Sequence, residues 1–86
     1  MKITLNDLTY TFETPTTFSL KKILIIATEN TTVYPFINGY NLISISTNQE
    51  TDVYLEPITT QTIVINAKSL YDIPLHILSA EIEIEL

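Results

Sequence analysis

The chain contains no cysteine, no tryptophan, no arginine and only one glycine among its 86 residues. Without cysteine there is no disulfide framework and no thiolate metal site, which fits synthesis in a reducing compartment. Four lysines without arginine do not form the basic patch that nucleic-acid binding requires. A chain of this length accommodates one domain, residues 1–86, because two halves would each need disulfides or metals to fold.

Charge is scarce and mostly negative. Charged residues make up 16% of the chain, against about 25% in an ordinary globular domain, and the net charge is −6. The hydrophobic fraction is 45%, while a domain this small buries only about 60% of its unfolded surface. Some apolar surface should therefore stay exposed unless a partner covers it, so we expect other protein subunits as partners and no nucleic acid.

Long hydrophobic runs are also missing. No stretch approaches the roughly 18 apolar residues of a membrane span. The first residues alternate between apolar and polar, unlike the hydrophobic region of a signal peptide. We expect no membrane partner, no transmembrane segment and no signal peptide.

Threonine and isoleucine, 14 of each, dominate a chain in which helix-favouring runs are absent. Turn signals about every 8–12 residues separate about eight predicted strands, a spacing typical of a sandwich or barrel. We expect an all-β fold, an antiparallel β-sandwich that is either a jelly roll or an immunoglobulin-like Greek key. The strand count slightly favours the jelly roll.

Two hairpins are predicted. In the first, Asn6-Asp7 forms a two-residue turn that pairs Lys2–Leu5 with Leu8–Glu13, which places the apolar side chains on one face. In the second, Asn38-Gly39, the strongest short hairpin motif, joins Val33–Ile37 to Tyr40–Ser46. Both faces of the second hairpin are apolar, so either a partner molecule or the core should cover them.

Three features of the sequence indicate where these strands end and where they lie in the sheet. Pro35 cannot donate to a β-ladder, so its strand should lie at an edge or contain a bulge. The segment Thr14–Thr17 contains Pro15 and should break the strand before Phe18–Thr28. The continuous apolar run in Phe18–Thr28 predicts a central strand that is covered on both faces.

Three elements follow the second hairpin. We predict a short strand at Val53–Glu56, an alternating strand at Thr62–Ala67, and one helical turn that Ser69 begins and Pro74 ends.

The last strand alternates apolar residues with three glutamates, Glu81, Glu83 and Glu85. Leu75 and Ile77 share the parity of the glutamates, so either the environment changes along the strand or a bulge lies near Ser79. The glutamate row is interpreted as a solvated outer face or as a contact for basic residues of a partner.

No constellation of catalytic residues is evident. His76 is the only histidine, and Ser69, Asp72 and Ser79 lie close to it in sequence. There is no nucleophile elbow and no glycine-rich loop that could stabilise an oxyanion. We therefore expect no catalytic residue, no cofactor and no metal site, and a protein that is not an enzyme.

In composition, strand rhythm and the opening stretch MKITLNDLTYTF, the chain resembles small all-β structural proteins of virions. These are capsid decoration, minor capsid and tail-associated subunits of phages and other viruses. The resemblance implies a non-enzymatic assembly protein that binds through shape-matched surfaces repeated in symmetric copies. It also implies a homo-oligomeric or capsid-associated subunit, located in the virion after assembly in the host cytoplasm.

The expected contact surfaces are the second hairpin and the last strand. The candidate interface residues are Tyr34, Phe36, Ile37, Tyr40, Leu42, Glu81, Glu83 and Glu85. Two alternatives remain open. One is a carbohydrate- or ligand-binding accessory module, which requires exposed Tyr34 and Tyr40. Its candidate sugar-binding platform consists of five aromatic residues: Tyr34, Phe36, Tyr40, Tyr54 and Tyr71. The other is a small acidic inhibitor of a host protein.

Overall fold

The computed structural model describes residues 1–86 and shows an all-β chain with no helix. Its strands are β1 (Lys2–Leu5), β2 (Thr9–Ala27), β3 (Thr32–Ile37), β4 (Tyr40–Asn41), β5 (Ile45–Ser46), β6 (Thr51–Asp52), β7 (Ile58–Ser69) and β8 (Ile77–Glu85). They form one antiparallel sheet of 8 strands in the order β1-β8-β2-β7-β3-β4, with β5 beside β3 and β6 beside β2. The prediction of an antiparallel all-β chain with about eight strands is confirmed.

The 19-residue strand β2 connects the two halves of this sheet. Its first part pairs with β7, from Thr9 to Phe18, and its second part pairs with β8, from Ser19 to Ala27. The prediction that the apolar run lies in a central strand is confirmed. Ile23 and Ile25 are fully buried, whereas the side chains on the opposite face of the strand are only half-buried.

The segment around Pro15 interrupts the ladder without ending the strand. Pairing between β2 and β7 shifts between Thr11 and Thr16, where several β2 residues lie opposite the single residue Gln61. The Gln61 amide Nε2 donates to the carbonyls of Phe12 at 3.3 Å and Glu13 at 3.2 Å. A side chain thus replaces the missing ladder bonds, and one long strand is found where the sequence predicted two.

The first predicted hairpin has the wrong register and the wrong partner strands. The turn lies one residue later, with positive φ at Asp7 (52°) and Leu8 (61°) and a 3.0 Å bond from the Thr9 N–H to the Asn6 carbonyl. Beyond it the chain diverges. β1 pairs with β8, and the start of β2 pairs with β7.

The pairing of β1 with β8 places complementary side chains opposite one another on both faces of β1. Ile3 lies opposite Ile82 in the core, while Lys2 lies opposite Glu83 on the outer face. A hairpin between β1 and β2 would instead have left Lys2 opposite a threonine. At the turn, Leu8 accepts a 2.9 Å hydrogen bond from the N–H of Ile65, so its left-handed conformation directs this carbonyl toward β7.

One hydrophobic core lies under both halves of the sheet. Its buried side chains come from β1, β2, β8, β7, β3, β5 and the loops near them: Ile3, Leu5, Phe18, Leu20, Ile23, Ile25, Val33, Ile37, Leu42, Ile45, Val53, Ile63, Ile65, Ala80, Ile82 and Ile84. Tyr10 and Phe12 pack at its margin with ring centroids 5.1 Å apart. Since residues from the two halves belong to the same cluster, the sheet curves around a common interior.

The Asn38-Gly39 turn is confirmed. Both residues have positive φ, 48° and 84°, and Phe36 and Ile37 pair with Asn41 and Tyr40. The prediction for the strand that contains Pro35 is wrong, because β3 lies between β7 and the returning strand and pairs with β7 without a bulge. The extra residue lies in the returning strand, between Asn41 and Ile45, where its pairing with β3 shifts in register by one residue. The Pro35 carbonyl accepts from the Leu42 N–H at 2.9 Å, at the place where this second strand is interrupted.

Of the two explanations proposed for the change of parity near Ser79, the structure shows the bulge. Ile26 pairs with Ser79 and Ala27 with Ile77, so Leu78 is the extra residue of β8 and its side chain is exposed. This bulge lets Leu75 and Ile77 pack against the core although they share the parity of the glutamates.

Two other local predictions are wrong. The short strand predicted at Val53–Glu56 is found two residues earlier, as β6. The Val53 N–H donates to the Lys21 carbonyl, and the pairing with β2 ends there. The helical turn after Ser69 is absent. The Ser69 hydroxyl accepts from the N–H groups of Tyr71 and Ile73, both at 3.3 Å, and stabilises a turn without starting a helix.

Asn38 provides a test of the fold. Its side chain makes three hydrogen bonds to β7, donating to Thr60 Oγ1 (3.1 Å) and the Thr62 carbonyl (3.0 Å) and accepting from the Val64 N–H (2.7 Å). Asn38→Ala loses all three and places alanine at positive φ, so we expect the free energy of unfolding in urea to fall by about 2–4 kcal/mol.

The matched control is Asn66→Ala, since Asn66 is exposed on β7 and its side chain makes no hydrogen bond. This control should change the unfolding free energy by less than about 0.5 kcal/mol. Equal effects of the two substitutions would contradict the anchoring role of Asn38.

Candidate functional site

The outward-facing side chains of β3 and β7 form a surface without acidic residues. On β3 these are Tyr34 and Phe36; Tyr34 lies opposite Lys68 of β7, and Phe36 lies opposite Asn66. Val64 lies two residues before Asn66 on β7, on the same face of the sheet, and is also exposed. We call the surface made by Tyr34, Phe36, Val64, Asn66 and Lys68 the acid-free face.

The distribution of charge along the chain explains this surface. No aspartate or glutamate occurs in residues 30–49 or in residues 57–71, and Lys68 is the only charged residue in either stretch. These stretches contain β3, β4, β5 and β7, which neighbour one another in the sheet. Strands β3, β4, β5 and β7 therefore carry none of the negative charges of a molecule whose net charge is −6.

The predicted interface residues of the second hairpin separate into two groups. Tyr34 and Tyr40 are exposed and Phe36 is half-buried. Ile37 and Leu42, at 0% and 6% exposure, lie in the core. Contact with another molecule is therefore possible for the three aromatic residues, whereas the two aliphatic residues belong to the core.

The glutamate row lies on the outer face of β8, between β1 and β2. Glu81 accepts from the Thr4 hydroxyl at 3.4 Å. Glu83 lies opposite Lys2 on one side and Lys22 on the other. Glu85 forms an exposed ion pair with Lys21 at 3.7 Å. The predicted row thus exists, but lysines of the same chain flank it.

Glu50 joins two of these lysines. Its carboxylate lies 3.4 Å from Lys22 Nζ and 3.8 Å from Lys2 Nζ, and Asp52 lies 3.9 Å from Lys22 Nζ. The hydrogen bond to Glu50, followed by the negative charges of Glu50, Asp52 and Glu83, raises the pKa of Lys22 above its ordinary value. These ion pairs lie at the surface, so salt should screen the attraction.

His76 is exposed, and no hydrogen bond joins its imidazole to a serine or an aspartate. Its backbone is anchored instead, because its carbonyl accepts from the Thr28 N–H (3.1 Å) and its N–H donates to Glu29 Oε2 (3.3 Å). The structure therefore does not bring the catalytic candidates together. No group of three or more histidine, aspartate or glutamate side chains is placed to hold a metal ion, and no helix is long and apolar enough to span a membrane.

The sequence did not predict a polar groove of about 780 Å³ that lies between three loops. Its lining residues are Asn30, Thr31, Thr32, Ser46, Thr47, Asn48, Gln49, Tyr71 and Ile73. In the sequence these segments look like ordinary turns. The one available indication was that none of these lining positions holds a charged residue, although most of them lie in loops.

Glu29 provides a test of the local electrostatics. The Thr28 hydroxyl, and then the His76 N–H, lower the pKa of the Glu29 carboxyl below its ordinary 4.5. A depressed pKa means that the ionised form contributes stability above the ordinary pKa, and that this stability is lost as the pH falls through the depressed value. In a carbon-detected NMR titration, Glu29 should titrate below 4.5, and Thr28→Val should move its midpoint back toward that value.

Thr59→Val is the control for this titration, since the Thr59 hydroxyl bonds the Thr17 hydroxyl and does not act on Glu29. It should leave the Glu29 midpoint unchanged. A Glu29 midpoint at or above the ordinary value, or one that ignores Thr28→Val, would contradict the assignment.

Comparisons with known proteins do not add a relative. No protein-family model, no curated protein and no solved structure matches this chain.

Proposed function

We propose that the protein is a non-enzymatic structural subunit that works through protein–protein contacts, as a small virion component of the decoration, minor capsid or tail-associated type. The observation that carries this proposal is the acid-free face. It combines exposed aromatic and aliphatic side chains with an absence of negative charge, on a molecule whose net charge is −6.

The proposed fold is an antiparallel β-sandwich, of jelly-roll or immunoglobulin-like type. One layer is β1, β8, the second part of β2, and β6, and the other is the first part of β2 with β7, β3, β4 and β5. Three observations support it: the single core shared by both halves, the passage of β2 from one pairing partner to the other, and the alternation of buried and exposed residues along β8 and β7.

The proposed partner on the acid-free face is a second copy of this chain. Two copies that each carry six net negative charges repel one another wherever acidic surfaces meet. The acid-free face is where two copies can approach without placing carboxylates opposite carboxylates. Tyr34 and Phe36 supply the kind of aromatic anchor that is enriched in interfaces.

The neighbouring hairpin exposes further apolar side chains at the end of the sheet. Tyr40 and Ile43 are both more than half exposed at the end and on the returning arm of the hairpin. Together with Tyr34 they leave apolar surface beyond the sheet itself, which association would remove from water. The proposed second contact is the glutamate row Glu81, Glu83 and Glu85. It would bind basic residues of another subunit, which would replace Lys2, Lys21 and Lys22 as the neighbours of these carboxylates.

The proposal is tested with Tyr34→Glu, which introduces a carboxylate into the acid-free face. Thr4→Glu is the matched control, because Thr4 is also exposed on a strand but lies among the glutamates of the other half. In sedimentation equilibrium, the wild type and Thr4→Glu should self-associate, and Tyr34→Glu should associate at least about tenfold more weakly.

A strictly monomeric wild type up to millimolar concentration would overturn the proposed self-association. Equal weakening by both substitutions would show that net charge, and not the acid-free face, governs association. The virion assignment has its own measurement, which is the mass of the particle that contains the chain in its native source. Recovery of the chain only as a free monomer would remove that assignment.

A further inference from the structure

The polar groove has a rigid base. Thr47 is buried, and its hydroxyl donates to the Glu29 carbonyl at 2.6 Å and accepts from the Thr31 N–H at 2.9 Å. The Thr47 N–H donates to the Thr31 carbonyl at 2.9 Å. These bonds fix the loop after β2 to the loop after β5, so the two walls that they form keep a constant separation.

Asn48 completes this base from a left-handed conformation (φ 65°). Its N–H donates to the Ile25 carbonyl (2.8 Å), its Oδ1 accepts from the Ala27 N–H (3.0 Å), and its Nδ2 donates to Asn30 Oδ1 (2.6 Å). The oxygen and the nitrogen of the Asn48 side chain thus each hold one loop segment to the end of β2.

The rest of the lining has polar groups without partners in the protein. The side-chain hydroxyls of Thr31, Thr32 and Ser46 make no hydrogen bond within the chain. The same holds for the side-chain amide of Gln49 and for the Asn30 amide nitrogen. Hydroxyls and amides both donate and accept, so the groove offers paired donors and acceptors that are free for a ligand.

An aromatic ring stands beside these groups. Tyr71 is 64% exposed, and Ile73 provides apolar surface next to it in the lining. The turn that carries both is fixed by the Ser69 hydroxyl, which accepts from both of their N–H groups. The groove therefore combines one apolar wall with two walls of neutral hydrogen-bonding groups.

We infer that this groove binds a neutral saccharide of one or two sugar units. The C–H face of a sugar ring packs on an aromatic ring, and its hydroxyls match groups that both donate and accept. A charged ligand would be desolvated without a countercharge, because no Asp, Glu, Lys, Arg or His lines the groove. Its volume of about 780 Å³ lies in the ordinary range of small-molecule sites, about 300–1,000 Å³.

The inference is independent of the proposed assembly role, since the groove residues and the acid-free face share no side chain. Of the five aromatic residues that the sequence suggested as a sugar-binding platform, only Tyr71 lines this groove. Tyr34 and Tyr40 lie on the hairpin strands β3 and β4, whereas Tyr71 follows β7.

The experiment is an amide NMR titration of the full chain with a panel of neutral sugars: glucose, galactose, N-acetylglucosamine, maltose, cellobiose and lactose. We expect at least one of them to shift the amides of Asn30, Gln49 and Tyr71 in a saturable way. Tyr71→Ala and Gln49→Ala should each weaken that binding by about tenfold.

Tyr54→Ala is the matched control, because Tyr54 is 92% exposed and lies outside the groove. It should leave the affinity unchanged. Amide spectra of the free variants confirm that each one is folded.

Two results would overturn the inference. One is the absence of saturable shifts at the groove with every sugar of the panel up to about 50 mM, a concentration that would nearly saturate even a site of millimolar affinity. The other is stronger binding there of an anionic probe, inorganic phosphate or glucuronate, than of any neutral sugar.

Discussion

The double pairing of β2 is the constraint on which the rest of the structure depends. One strand of 19 residues has β7 beside its first part and β8 beside its second part. Because β2 belongs to both halves, the side chains that it buries, such as Phe18 and Ile23, fix the two halves around the same core. The irregular segment at Pro15 and the bulge at Leu20–Lys22 allow this strand to change partners.

The surface of this 86-residue chain stays polar although it carries few charged residues. Where β2 meets β7, threonines lie opposite threonines, and their hydroxyls approach to 2.6 Å between Thr17 and Thr59 and 3.3 Å between Thr11 and Thr62. Such cross-strand pairs keep a strand surface polar without ionised groups. Apart from Glu13 in the first part of β2, the acids lie in the other half and in a few loops. The result is a molecule with one acidic half and one nearly neutral half, and the two proposed sites lie in the neutral half.

Local features of the chain, such as turns, could be predicted from the sequence, whereas the pairing partners of the strands could not. Asn38-Gly39 was predicted correctly because positive φ at two successive residues depends on those residues alone. The bulge near Ser79 followed from a change of parity that any buried strand would need to correct. The first hairpin failed because Ile3 and Leu5 fit β8 as well as they fit the neighbouring segment, and β8 lies about 80 residues away.

The candidate sites likewise combine local features that the sequence shows with long-range contacts that it does not show. The two acid-free stretches are visible in the printed sequence, but only the pairing of β3 with β7 makes them one surface. Alternation places Ile37, Tyr40 and Leu42 on one face of the hairpin, and the sequence does not show that Tyr40, beside the turn, stays exposed while the other two lie in the core. The groove depends on Thr47 and Asn48 bonding to distant loops, and such contacts have no signature in local sequence.

The insertion of β8 between β1 and β2 has a consequence for how the chain folds. During synthesis, β1 and the start of β2 emerge together, and the local hairpin between them needs no distant partner, so it can form within microseconds. In the native sheet β8 lies between β1 and β2, so this local hairpin is not kept and both strands pair with a distant segment. Such long-range pairing has a larger loop-closure cost than a local hairpin, and we expect it to slow folding and to leave the edges of β1 and β2 unpaired until β8 docks.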